Sequence, residues 1–136
     1  MLRMLASTLL GLNVLVFVCL TLLMFQGHHP ALNLVPFRSI AHDWREGGRV
    51  FVVNFVGNLA IFLPIGFLAP LARARPTSGG KVAALCLLLS GSIEALQYLS
   101  GRRVADIDDI LLNTLGGVVG YLLFRASPLA ESTRTG

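Results

Sequence analysis

Charged side chains are scarce in this 136-residue chain. Asp, Glu, Lys and Arg make up 13% of its residues, whereas soluble proteins carry about a quarter. Apolar residues reach 54%, which is the composition of a membrane protein. The formal net charge of +4 does not indicate nucleic-acid binding. The basic residues flank hydrophobic runs instead of forming a stripe with interleaved aromatics, which suits topology signals and anionic headgroups.

The motifs of several enzyme classes are also missing. The sequence has no Ser/His/Asp order, no His-rich metal motif and no Gly-rich phosphate loop. Cys19 and Cys86 fall in separate apolar runs, so we expect neither a disulfide nor a metal site from them. His28, His29 and His42 match no familiar ligand spacing, and we interpret their segment as a solvated loop.

Four long hydrophobic runs predict the fold. Each is long enough to cross a hydrocarbon core of about 30 Å as an α-helix. We therefore predict an all-α membrane protein, a single domain over 1–136, with transmembrane helices at about 4–25, 50–71, 82–99 and 107–124. A cleaved signal peptide is the alternative for the first run, but that run exceeds the usual h-region of about 7–15 residues and no small-x-small site follows.

The connections between the runs predict loops and an orientation. Residues 26–49 read mainly as loop because Pro30 and Pro36 favour extended neighbours, and Phe37 and Trp44 suit an interfacial aromatic belt. Pro64 interrupts the second run and predicts a kink there. Positive charges put both termini, the middle loop and a short tail (125–136) in the cytoplasm, although arginines also occur on the opposite side. The charges that set this orientation are Arg3, Arg73, Arg75, Lys81 and Arg125.

Polar side chains inside or beside these runs predict a site. The second helix begins, the third ends and the fourth begins on one side of the membrane, so their polar residues should meet in one leaflet. Ionisable groups at that depth mark either a site or a paired network. The residues we expect there are Asn54, Asn58, Glu94, Gln97, Arg103, Asp106, Asp109 and Asn113. We expect Asp108 to point away, toward the loop or the headgroups.

The spacing of these residues also predicts helix contacts. Glu94 and Gln97 share a face of the third helix. A small-and-polar stripe runs down the fourth helix from Asp106 through Asp109 and Asn113, and its glycines would let another helix approach closely. The residues we expect at helix contacts are Pro64, Gly66, Gly116, Gly117 and Gly120.

The polar residues fit two interpretations, a structural clasp or a pocket. Glu94 is the deepest acid, so it needs either a proton or a partner. Four residues are expected as such partners: Arg102, Arg103, Asn54 and Asn58. Asp106 or Asp109 would also be favoured as a cap at the start of the fourth helix. These contacts alone would hold a bundle together, and the same groups would also line a ligand site.

Taken in order, these residues resemble the VanZ-like family of small bacterial membrane proteins. The matching segments are NLVPF at 33–37, N-x-x-x-N with F-x-P-x-G over 54–66, E-x-x-Q at 94–97 and R-x-x-D-x-x-D-x-x-x-N-x-x-G-G over 103–117. The resemblance covers nearly the whole chain except the tail. It implies a multi-pass protein of the bacterial inner membrane. The family's namesake is associated with resistance to the glycopeptide teicoplanin.

Three functions remain open at this point. The first is an envelope protein whose outer-leaflet cluster binds a lipid-linked or envelope-active ligand. The second is an enzyme on a lipid or isoprenoid substrate, with Glu94 as acid or base and the Asp106/Asp109 pair holding a divalent cation. The third is an accessory subunit that docks a membrane partner protein on the Gly116/Gly120 stripe. We predict no other cofactor, and a lipid bilayer as the surroundings.

Overall fold

The computed structural model describes residues 1–23, 31–73, 77–101 and 104–132. Within these ranges the chain is almost entirely helical. Its elements are, in order, α1 (Leu2–Leu23), β1 (Leu32–Asn33), α2 (Arg38–Glu46), α3 (Gly48–Phe51), a π-helical turn (Val52–Val56), α4 (Gly57–Ala72), α5 (Gly79–Leu99), β2 (Ala105–Asp106), α6 (Ile107–Ala126) and α7 (Leu129–Ser132).

Four helical segments are long and apolar enough to cross a membrane. They are Leu2–Thr21, Gly48–Ala72, Gly79–Leu99 and Ile107–Ala126. The all-α membrane bundle expected from the hydrophobic runs is thereby confirmed. The observed helices begin a few residues before the predicted second and third spans, because the polar residues that flank each apolar run extend the helix beyond it.

Residues 31–49 differ from the predicted loop. Leu32 and Asn33 form β1, which pairs in parallel with β2 in the register Leu32 to Ala105 and Asn33 to Asp106. Arg38–Glu46 then forms α2, a helix of nine residues. The prediction from proline placement missed both elements, since they depend on partners more than 60 residues away in the sequence. His28 and His29 lie outside the described residues.

The second span departs from a regular α-helix in two ways. Val52–Val56 forms a π-helical turn directly before α4. α4 then continues from Gly57 to Ala72 with Pro64 and Pro70 inside it. Proline is tolerated in such a helix because neighbouring groups satisfy the carbonyl that loses its donor. A bend at Pro64 stays a prediction.

α4 and α6 form the centre of the bundle through glycine contacts. α4 packs against α1 on one side and α6 on the other, and α6 also contacts α5. A methyl group at Gly66 would overlap the carbonyl oxygen of Gly117, and one at Gly120 would overlap that of Leu63. The absence of side chains therefore lets two helix backbones touch. The stripe expected as a docking face for a partner, from Gly116 to Gly120, is occupied by α4 of the same chain.

The C-terminal segment folds back on the bundle as far as it is described. α6 ends at Ala126, and α7 follows after a short turn. Ala130 is buried and belongs to the hydrophobic core together with Phe124. The predicted tail thus begins as packed helix rather than free chain, and residues 133–136 lie outside the description.

Candidate functional site at one end of the bundle

The polar residues meet where α4 begins, α5 ends and α6 begins. We call this region the loop end; it includes β1, β2 and α2. Asp106 is at its centre as the N-cap of α6, and its side chain accepts a hydrogen bond of 2.9 Å from the backbone N–H of Asp108. The same carboxylate accepts from the Asn33 amide at 3.1 Å and from the Ser39 hydroxyl. One side chain therefore caps a helix and ties the first connection to it.

Asp108 is buried, with 1% of its surface exposed. Its carboxylate accepts backbone hydrogen bonds from Phe37, from Ser39 at 2.9 Å and from Ile40 at 3.2 Å. These donors are the free N–H groups at the start of α2, which a carboxylate satisfies well. Phe37 itself has a left-handed backbone (φ 64°), a conformation that needs such support. Asp108 thus points to the loop, as expected, but as a buried anchor.

Glu94 is held inside the same region. It is 5% exposed, and its carboxylate accepts from the backbone N–H of Asp106 at 2.9 Å. With its amide nitrogen facing the carboxylate, Gln97 donates to both Glu94 oxygens at 3.1 Å. Both side chains are buried on α5, which agrees with the shared face predicted for them. The pairing places a buried acid where α5 meets β2.

Two asparagines join α6 to its neighbours deeper in the bundle. Asn58 of α4 donates to the carboxylate of Asp109 at 2.6 Å. Asn113 donates to the Ser90 hydroxyl of α5 at 2.8 Å, and both of these residues are buried. The residues of the predicted stripe on α6 therefore contact two different helices, because Asp109 faces α4 whereas Asn113 faces α5. Each bond links two helices across the apolar interior.

Asn54 lies outside this buried network. It is exposed in the π-helical turn and donates to Asp43 of α2 at 2.8 Å. Trp44 of α2 also contacts Phe51 edge-to-face, with ring centroids 5.1 Å apart. These two contacts fix the second half of α2, as Asp108 fixes its start. The asparagines expected as partners of Glu94 thus bind other acids.

An open cleft of about 480 Å³ lies above the network. Its lining comes from β1, α2 and the residues around β2: Ala31, Leu32, Asn33, Arg38, Ser39, His42, Arg45, Val104 and Asp106. Arg38, His42 and Arg45 follow each other at intervals of four and three, so they share one face of α2. The cleft thus has a polar floor and a basic wall, and its volume suits a small headgroup.

Six of the eight expected site residues lie together in the structure. Glu94, Gln97, Asp106, Asp109, Asn113 and Asn58 gather at the loop end and the adjoining helix turns. Arg103 lies outside the described residues. Among the described residues, no group of three or more His, Cys, Asp or Glu side chains is placed to hold a metal ion. Asp106 and Asp109 bind different partners, so the cation proposed for this pair stays a prediction.

Sequence reasoning missed several partners of the site residues and the role of α2. Asn33 and Ser39 bind Asp106, Ser90 binds Asn113, and the arginines of α2 line the cleft. A signal existed for Asp108, because two acids in the first turn of a predicted helix favour helix-terminus contacts. Nothing in the local sequence indicated that this acid would cap a second helix.

A known protein family matches most of this chain. The sequence model of the VanZ/LLP1 family matches residues 8–129. The chain belongs to the VanZ/LLP1 family. The match begins within α1 and extends through α6 and the loop end, so the VanZ-like resemblance of the motifs is confirmed.

One curated relative is named for the family. The chain is 31% identical over 103 residues to "Protein VanZ" from Enterococcus faecium, covering 76% of this chain and 58% of that protein. This VanZ-like chain therefore aligns with somewhat more than half the length of that relative. No solved structure matches this chain.

Proposed function

We propose that this VanZ-like membrane protein binds the polar headgroup of a lipid-linked or envelope-active ligand in the cleft at the loop end. The cleft is the observation that carries the proposal. It opens beside the predicted bilayer surface, and its floor is formed by Asn33, Ser39 and Asp106. A membrane-anchored ligand would place its headgroup there while its chains remain in lipid.

The buried network supports binding by giving the cleft a fixed shape. Asp106 joins β1, α2 and α6, and Asp108 holds the start of α2. The clasp and pocket interpretations of these polar residues are thereby compatible, since the buried acids act as clasp and the side chains above them face the ligand. A preformed site loses less conformational entropy when the ligand binds.

The contacts favour binding over turnover. Glu94 is 5% exposed and accepts a hydrogen bond from the backbone of Asp106, but it is not itself among the residues that line the cleft. A general acid or base must reach its substrate within about 3 Å. The enzyme hypothesis therefore needs Glu94 to be uncovered first. Incubating the purified protein with extracted lipids, with and without divalent ions, tests it through product formation.

The outer leaflet is the proposed location of the cleft. Arg3, Arg73, Lys81 and Arg125 belong to the opposite end of the bundle, and the positive-inside rule predicts that this end faces the cytoplasm. Envelope precursors and envelope-active drugs are accessible from the outer face. The association of the family's namesake with teicoplanin resistance makes such ligands the first class to examine.

Native mass spectrometry of the protein purified in mild detergent tests the proposal. We expect a specific co-purifying ligand on the wild type that is lost in Ala31→Phe, because the larger side chain fills the cleft. Leu123→Phe is the matched control, since Leu123 is an exposed apolar residue on α6 away from the cleft. A ligand retained equally by all three proteins, or bound by none, would refute binding in the cleft.

A further inference from the structure

The basic wall of the cleft carries charge that the protein itself leaves unmatched. Arg38 and Arg45 line the cleft and are exposed, and neither makes an ion pair among the described residues. Two guanidinium groups seven residues apart on one face of α2 therefore point at the same open volume. Exposed charge gathered in a concave surface concentrates counter-ions there.

Of the acids near the cleft, Asp106 and Asp43 accept hydrogen bonds from other groups, and Glu46 is exposed at the end of α2 outside the cleft lining. Asp106, the one carboxylate in the cleft lining, accepts from Asn33, from Ser39 and from the backbone of Asp108. Asp43 accepts from Asn54. The cleft thus combines two permanent positive charges with one carboxylate whose oxygens face protein donors.

His42 adds an imidazole ring to the same face of α2. It lies between the two arginines on the same face, with its ring nitrogens 3.8 Å from the Asp43 carboxylate and 3.9 Å from that of Glu46. These contacts are too long for strong hydrogen bonds. His42 therefore remains able to donate toward the cleft, whereas the Asn33 amide and the Ser39 hydroxyl donate to groups within the protein.

We propose that the group recognised in this cleft is the phosphate of a membrane lipid, held by Arg38 and Arg45. The inference rests on the function proposed above and names the chemistry of its ligand. Guanidinium groups pair with phosphate oxygens in a bidentate manner. The cleft brings two such groups to one volume, with the His42 ring between them.

The aromatic residues of α2 place this site at headgroup depth. Trp44 is 69% exposed, and Phe37 at the start of α2 is also exposed. Exposed aromatic rings beside transmembrane helices concentrate at the membrane–water interface, where lipid phosphates lie. A lipid phosphate therefore reaches Arg38 and Arg45 without leaving the bilayer surface, which favours a lipid over a soluble anion.

Fluorescence of Trp44 provides a direct assay, because it is the single tryptophan of the chain and neighbours Arg45. The wild-type protein in a maltoside detergent, which carries no phosphate, is titrated with farnesyl phosphate, with farnesol and with inorganic phosphate. We expect saturable binding of farnesyl phosphate and none of farnesol. Arg38→Gln combined with Arg45→Gln should weaken that binding by about tenfold or more, since two charge-assisted contacts are lost.

Arg49→Gln is the charge-matched control. Arg49 is exposed on α3 and does not line the cleft, so its loss should leave the affinity unchanged. An equal loss in this variant would overturn the inference in favour of general surface attraction. Inorganic phosphate binding as tightly as farnesyl phosphate would keep the phosphate site but refute the lipid as its source. Melting temperatures of all variants verify folding.

Two further results separate this inference from the function on which it rests. If a co-purifying ligand is lost in Ala31→Phe but the arginine pair affects neither it nor farnesyl phosphate, the phosphate inference fails and binding in the cleft stands. If no ligand or probe responds to Ala31→Phe, both fail together.

Discussion

The backbone N–H of Ser39 donates a hydrogen bond of 2.9 Å to the carboxylate of Asp108, which lies 69 positions later in the chain. This bond connects the N-terminus of α2 with the first turn of a transmembrane helix. Phe37 and Ile40 donate to the same carboxylate. A single acid therefore caps a helix that it does not belong to, and the position of the cleft wall depends on it.

Replacing Asp108 should loosen α2 and destabilise the protein. Asp108→Asn leaves a neutral side chain facing three backbone donors, and a buried charge-assisted network of this kind contributes about 2–3 kcal/mol. Unfolding in detergent measures the loss, and limited proteolysis between β1 and α2 should become faster. Asp43→Asn is the control: its Asn54 contact is exposed, so its effect should stay below about 1 kcal/mol. Equal effects of the two substitutions would contradict the anchoring role.

The contact between α4 and α6 should not tolerate even one added methyl group at Gly66. Gly66→Ala forces the new carbon against the Gly117 carbonyl, so the helices must separate. We expect a loss of at least about 2 kcal/mol in the free energy of unfolding. Gly91→Ala is the matched control, because a methyl group there meets no other atom within 4 Å. That control should be neutral or stabilising by up to about 1 kcal/mol. A Gly66 variant as stable as this control would rule out the close helix contact.

Asn58 and Asp109 should show energetic coupling across the bundle. Their 2.6 Å hydrogen bond joins α4 to α6. A double-mutant cycle with Asn58→Ala and Asp109→Asn should give a coupling of about 0.5–2 kcal/mol, as for hydrogen bonds between membrane helices. The same cycle with Asn54→Ala in place of Asn58→Ala is the control, since Asn54 bonds to Asp43 instead. Additive effects in the first cycle would show that the bond contributes nothing measurable.

The orientation proposal predicts which end of the bundle is accessible from outside the cell. Leu34 is exposed at the loop end, and Ser78 is exposed in the connection at the opposite end. In intact cells, a membrane-impermeant thiol reagent should label Leu34→Cys but not Ser78→Cys, and both should react after lysis. The wild-type chain, with exposed Cys19 and buried Cys86, gives the background. The reverse pattern would place the cleft on the cytoplasmic side.

Most of the fold was predictable from hydropathy and connectivity. The spans, and the meeting of Asn58, Glu94 and Asp109 at one end, follow from where apolar runs begin and end. The proximity of Gly116 and Gly120 to another helix also followed from their spacing. The identity of that helix did not, because a small-residue stripe fits an internal helix and a foreign partner equally well.

The structure changed the interpretation of the site residues. Asn54 and Asn58 were expected as partners of Glu94, but they donate to Asp43 and Asp109 instead, whereas the expected partners Arg102 and Arg103 lie outside the described residues. Asn54 was expected inside the network and instead tethers α2. Such pairings depend on the rotation of each helix about its axis, which an apolar run does not specify when most of its faces meet lipid.

The local sequence was sufficient to predict a four-helix membrane protein of the VanZ-like family with polar residues collected at one end. Those features follow from the length of apolar runs and from chain order, which are local properties. Three features depend on the packing of distant segments and were not predictable: the pairing of β1 with β2, the capping of α2 by Asp108, and the cleft beside the basic face of α2. These contacts join residues about 70 positions apart, and their geometry arises only when the helices are packed together.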